Sequence, residues 1–183
     1  MPANTADDSP RWWAMSAVYG RSLQAKQRLE EGGLEAFVPM RYVLRTAGGR
    51  KVRELLPAVN NLLFVRATAD AVRAAKASMP WLHYLVRREA GRGVPIIVPD
   101  RQMRDFITLA SHTEERLDYF APDELHLEAG ARVRVHGGPF DGVEGIFVRV
   151  QGARSRRVVV CLDGVMGVAV TVSPDFIEVL GKR

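Results

Sequence analysis

Cysteine is nearly absent: 183 residues hold one, Cys161, inside the apolar stretch RVVVCLDG. A single thiol excludes an internal disulfide and a cysteine-pair metal site, so it reads as an inert strand residue. No apolar run approaches the ~20 residues that a membrane helix needs. The first ten residues, MPANTADDSP, are polar and acidic. They lack the charged-then-apolar layout of a secretion signal and read as a disordered leader. The expectation is a cytoplasmic protein without membrane contact. Catalytic patterns are missing too. His83, His112, His126 and His136 are scattered, with no His-Glu-x-x-His pair. No nucleophile elbow or paired-carboxylate site is recognisable, so the chain reads as a non-enzyme without metal or cofactor.

Charge of one sign is in modest excess. The net charge is +5 and the isoelectric point lies near 9.8. That leans toward polyanionic partners but is also compatible with an ordinary solvated surface.

The two halves follow different periods. From residue 11 to 112, strand-like and helix-like segments alternate. WWAMSAVYG reads as a buried strand, and RSLQAKQRLEEGG as a helix stopped by Gly32 and Gly33. LEAFVPMRYVLR and RKVRELLPA flank TAGG, a hairpin with Gly48 and Gly49 at its tip. NNLLFVRAT is a short apolar strand, and Thr68 can cap the helix ADAVRAAKASM. WLHYLVR is another strand candidate. In PDRQMRDFITLASH, Met103, Phe106, Ile107 and Ala110 share one helical face, with Asp100 as a candidate cap. This mixture predicts an α+β sandwich with helices on an antiparallel sheet. The acidic, aperiodic stretch 113–126 reads as a linker. From residue 127 the period becomes two, and five short strand segments follow without a helix. They predict a small closed β-barrel over 127–183.

HGGPFDGVEG, residues 136–145, holds four glycines and joins two of these strands. A phosphate loop needs a lysine and a hydroxyl after its glycines, and none is here. Asp141 and Glu144 repel phosphate, so the stretch reads as a tight corner.

GARVRVHGGPFDGVEGIFVRV, residues 130–150, resembles a KOW motif, which opens an SH3-like barrel. WWAMSAVYG, a helix, AFVPMRYVLR, a hairpin and LPAVNNLLFVRAT follow one another as in the N-terminal domain of the NusG family. The resemblance covers most of residues 11–183. Housekeeping members carry an aromatic pair and Pro-Gly-Tyr before the strand that here reads LLFV. This chain has Val59-Asn60-Asn61-Leu62 there, closer to the specialised RfaH and UpxY branches.

The resemblance implies an α/β sandwich followed by a KOW barrel, acting in transcription elongation and antitermination at particular operons such as polysaccharide biosynthesis. A housekeeping elongation factor coupled to Rho or the ribosome is the alternative. The implied RNA polymerase surface, facing the clamp helices, is Val59, Asn60, Leu62 and Phe64. The alternation of the strand leaves open that Leu62 and Phe64 instead pack a helix. Tyr19, Arg21, Lys26 and Arg28 are the candidates for the non-template DNA strand, or else a wet helix face. The hairpin RTAGGRKVR is equally basic, and either meets nucleic acid or stays solvated. Met166 and Gly167 align with the region that relatives use for a ribosomal protein or Rho, and are otherwise an ordinary turn. A free RNA-binding protein using RVQGARSRR as its basic element is the remaining reading.

Overall fold

The computed structural model describes residues 9–121, 124, 130–149, 156–162 and 164–182. The leader expected at 1–10 falls almost wholly outside these residues, as does the basic turn at 150–155. The chain forms two compact units, one of Met1–Val38 with Asn60–Asp100, the other of Pro39–Val59 with Arg101–Arg183.

The first unit begins with β1 (Arg11–Ala17), α1 (Ser22–Glu31) and β2 (Glu35–Phe37). The hairpin β3 (Met40–Ala47) and β4 (Arg50–Pro57) then leaves for the second unit. The chain returns with β5 (Leu62–Ala67), α2 (Ala69–Ser78), β6 (Leu82–Tyr84), β7 (Val86–Glu89), β8 (Arg92–Pro95) and β9 (Ile97–Val98). β1 is the hub. It pairs antiparallel with β5, from Arg11 opposite Ala67 to Ser16 opposite Leu62, and also with β6 and β9. β2 takes the far edge of β5. The apolar runs WWAMSA and LLFVRA lack alternation, as expected where both faces of a strand are covered. Trp12 through Met15 and Leu62 through Val65 are all buried. The indole nitrogen of Trp13 still finds a partner, donating to Ala67 O at 2.9 Å.

α1 packs on β1, β2 and β5 through Ala25 and Leu29. α2 is capped as expected: Thr68 Oγ1 accepts from Ala71 N at 3.2 Å, and Val72 is buried against the strands. The single strand expected at WLHYLVR is broken at Leu85, whose N–H donates to Ala14 O at 2.9 Å. Beyond it β7 and β8 form a separate hairpin turned by Ala90 and Gly91, both at positive φ.

In the second unit, β3 and β4 pair along their whole length, from Met40 opposite Pro57 to Ala47 opposite Arg50. Gly48 and Gly49 turn the tip at φ 56° and 77°, the left-handed region a two-residue hairpin loop requires. α3 (Asp100–Ala110) buries Met103, Phe106, Leu109 and Ala110. Then come β10 (Leu117–Phe120), β11 (Ala131–Val135), β12 (Glu144–Arg149), β13 (Arg156–Leu162), β14 (Met166–Val170) and β15 (Ile177–Lys182). Their sheet runs β10-β14-β13-β12-β11-β15.

Two features depart from the sequence expectation. The hairpin and α3 group with the C-terminal strands: Arg101 pairs with Glu144, and the rings of His112 and Phe140 meet edge-on at 5.2 Å. The stretch read as a linker contains a strand, since Leu117–Phe120 pairs with β14 from Leu117 opposite Val170 to Phe120 opposite Gly167. Asp118 is ion-paired with Arg157, and Tyr119 Oη donates to Met40 O at 3.2 Å. Burial pushes the Tyr119 hydroxyl up to about 12.

HGGPFDGVEG forms the corner between β11 and β12, a 3-10 turn at Gly138–Phe140 with Phe140 buried. Gly137 N–H donates to Asp141 Oδ1 at 2.6 Å, so the acid serves the turn. Glu144 is hydrogen-bonded by Arg134 at 2.6 Å and faces Arg101 as well, which holds its carboxyl below the usual range. Gly145 is required by a close approach: a Cβ there would sit 2.7 Å from Val159 O and 2.9 Å from Val158 Cγ1. Gly145→Ala should therefore destabilise the chain by about 1–3 kcal/mol, as overpacking does. A urea titration with unchanged m-value checks this. Among the described residues, no helix is long and apolar enough to cross a membrane.

Candidate nucleic-acid interface

The turn from β1 into α1 carries two backbone outliers side by side with an exposed ring. Tyr19 is 85% exposed and sits at φ 63°, a left-handed conformation that costs a bulky residue free energy. Gly20 follows at φ 70°. The turn is pinned from the start of β5. Asn61, itself at φ 65°, accepts from Gly20 N through its side-chain oxygen at 2.8 Å, and its carbonyl accepts from Ala17 N at 2.8 Å. An outlier held this way, presenting an aromatic to water, is the kind of strain that gathers at binding sites.

Arginines surround the ring. The Arg21 guanidinium lies 5.8 Å from the Tyr19 ring and 5.3 Å from the ring of Trp81. Arg28 lies 5.9 Å from the same indole. Trp81 is brought there by β6, which pairs with β1, and Val18 N donates to Trp81 O at 3.1 Å. α1 begins beside them with no side-chain cap and no acid in its first turn. Two arginines and two aromatic rings thus gather beside the start of the helix. Cations over π-faces, next to an open aromatic and uncapped amides, are the chemistry that holds phosphates and unstacked bases.

Of the four residues expected to contact DNA, three gather here and one does not. Arg21 and Arg28 are seven apart and share a helical face. Lys26 lies about 140° around the helix from Arg21, where it is ion-paired with Glu30. The sequence alone does not point to Trp81 and Asn61 as members of this cluster. Nothing local marks them, because strand pairing and a turn contact bring them in.

The surface expected to meet polymerase is placed differently. Val59 is half-buried and Asn60 exposed, but Leu62 is 4% exposed and Phe64 fully buried. β5 is flanked by β1 and β2 and covered on both faces, so neither Leu62 nor Phe64 offers a side chain to a partner here. The expected partner loop is also corrected. Met166 and Gly167 belong to β14, between β13 and β10, and Met166 is 3% exposed. Among the described residues of the turn, Gly164 is exposed and Val165 half-buried.

The family model described as transcription termination factor nusG matches residues 10–107, more than half of the chain. The chain belongs to the NusG family. The matched span holds Tyr19, Arg21, Arg28, Asn61 and Trp81 alike. A solved structure of Thermotoga maritima NusG, one concerned with domain interaction, shares 22% identity. It covers 94% of this chain and 98% of its own length, at a TM-score of 0.44. No curated protein matches. NusG-family membership makes this a transcription factor of the elongation and antitermination class, whose members typically bind RNA polymerase.

Proposed function

We propose that this NusG-family chain rides on RNA polymerase and grips the displaced non-template DNA strand with Tyr19, Arg21, Arg28 and Trp81. The observation that carries this reading is Tyr19, held exposed in a left-handed turn with Arg21 laid between its ring and that of Trp81. The exposed Asn60, beside Val59 at the start of β5, is the accessible part of the polymerase surface, docked on the clamp helices. Holding protein, polymerase and unpaired strand together disfavours pausing and termination without any bond being made.

Val59-Asn60-Asn61-Leu62, in place of the housekeeping Pro-Gly-Tyr, supports assignment to the operon-specific branch that includes RfaH and UpxY. The five strands from β11 to β15 support a KOW barrel that recruits a ribosomal protein or Rho. In this arrangement the chain works in the cytoplasm.

The test is an anisotropy titration of a short single-stranded DNA with the full chain, followed by co-elution with core RNA polymerase. Tyr19→Ala removes a stacking face worth about 1–3 kcal/mol, so affinity should fall roughly five- to 150-fold. Arg21→Ala should flatten the salt dependence by about one phosphate contact. Lys26→Ala should change little, because Lys26 faces elsewhere. Wild-type affinity in Tyr19→Ala sinks the single-strand site, whatever the polymerase result.

A further inference from the structure

Tyr19 is 85% exposed, so packing does little to hold it in its left-handed turn. What holds it is a short series of hydrogen bonds on either side. The β1–β5 ladder ends at Ser16 opposite Leu62, and Asn61 O takes the next amide, Ala17 N, at 2.8 Å. On the other side of β1, Val18 N donates to Trp81 O at 3.1 Å. The chain bends away at Asn61, φ 65°, and Gly20 N is taken by the Asn61 side-chain oxygen at 2.8 Å. That oxygen stands in for a further carbonyl of the ladder, where the backbone of the neighbouring strand has turned off. The amides before and after Tyr19 are therefore both fixed.

Two demands meet at position 61. Its backbone is left-handed, which glycine, asparagine and aspartate adopt most readily. The Gly20 amide also needs an acceptor on a short side chain. Glycine meets the first demand alone. Aspartate meets both, but sets a negative charge beside a turn whose neighbours are Arg21 and Arg28. Of the three, asparagine alone is an acceptor, left-handed and neutral. A ring already held in its bound conformation loses less freedom when a base stacks on it.

We propose that Asn61 is a positioning residue of the single-strand site, which without touching DNA fixes the Tyr19 turn in its stacking conformation before a strand arrives. This rests on the single-strand reading of Tyr19, Arg21, Arg28 and Trp81.

The full-length chain is titrated with a short single-stranded DNA and with one of equal length carrying abasic sites, between about 50 and 200 mM salt. Asn61→Gly keeps the left-handed backbone open and removes the acceptor, whereas Asn61→Asp keeps both. Circular dichroism confirms that each variant is folded. Asn61→Gly should bind the normal strand roughly two- to tenfold more weakly, the cost of ordering the turn on binding. Its log–log salt slope should stay as in wild type, because no phosphate contact is removed. Its preference for the normal over the abasic strand should shrink, while Asn61→Asp should retain that preference. Without DNA, the Gly20 amide should exchange faster in Asn61→Gly than in wild type or Asn61→Asp. In a Tyr19→Ala background, Asn61→Gly should cost nothing further, since it acts through that ring. Wild-type affinity in Tyr19→Ala removes the single-strand site and this role with it. A loss in Tyr19→Ala beside wild-type affinity in folded Asn61→Gly overturns the positioning role alone, as does a fully additive loss in the double variant.

Discussion

Phe64→Ala should lower the unfolding free energy by about 3–5 kcal/mol. Phe64 is fully buried in the middle of β5, with Ala14 of β1 on one side and Phe37 of β2 on the other. Both flanking strands are fixed by their own ladders, so the site cannot collapse around the missing ring, and a cavity remains. The cost is a large share of the 5–15 kcal/mol that a domain of this size holds. Urea unfolding followed by tryptophan fluorescence measures it directly, since Trp12 and Trp13 lie on β1. Asn60→Ala, four residues earlier and exposed, should stay within about 0.5 kcal/mol of wild type. The pair separates two meanings of lost polymerase binding. Loss in Phe64→Ala reports an unfolded sheet, whereas loss in a stable Asn60→Ala reports a contact. A wild-type melting curve for Phe64→Ala means the ring is not in the core, and the reading of β5 as a docking strand returns.

The sequence made some of this plain and hid the rest for physical reasons. Local chemistry was readable where it is self-contained. Thr68 caps α2, Gly48 and Gly49 turn the hairpin, and the period of two marks the five strands from β11 to β15. The interior position of Leu62 and Phe64 was also written locally, in LLFVRA. A run without alternation means two covered faces, and only the expectation of one wet face obscured it. Charge alone groups Lys26 with Arg21 and Arg28, although helical phase turns it away. Other features have no local signal. β10 lies within an acidic stretch and becomes a strand because β14 offers it an edge about fifty residues later. Trp81 joins Arg21 only through the pairing of β6 with β1, sixty residues apart in the chain. Asn61 reads as part of the short strand NNLLFVRAT until its side-chain oxygen is seen to hold the Gly20 amide. Long-range pairing assembles the site, and a sequence shows its parts without their neighbours.

Met166→Ala should cost about 2–5 kcal/mol, the second large effect. Met166 opens β14 opposite Leu162 of β13 and is 3% exposed. β14 is buried along its whole length, with Val168 and Val170 on the same face as Met166. β10 supplies its second neighbour, so the strand has no open edge to relax toward. Val165→Ala, half-buried in the adjoining turn, should cost far less. Thermal unfolding of the full chain distinguishes the two, with the Met166 variant melting several degrees lower than the Val165 variant. If a ribosomal protein or Rho docks here, Gly164 and Val165 are the residues within its reach, and Val165→Ala should weaken that complex without lowering stability much. A stable Met166→Ala that loses its partner reverses this assignment.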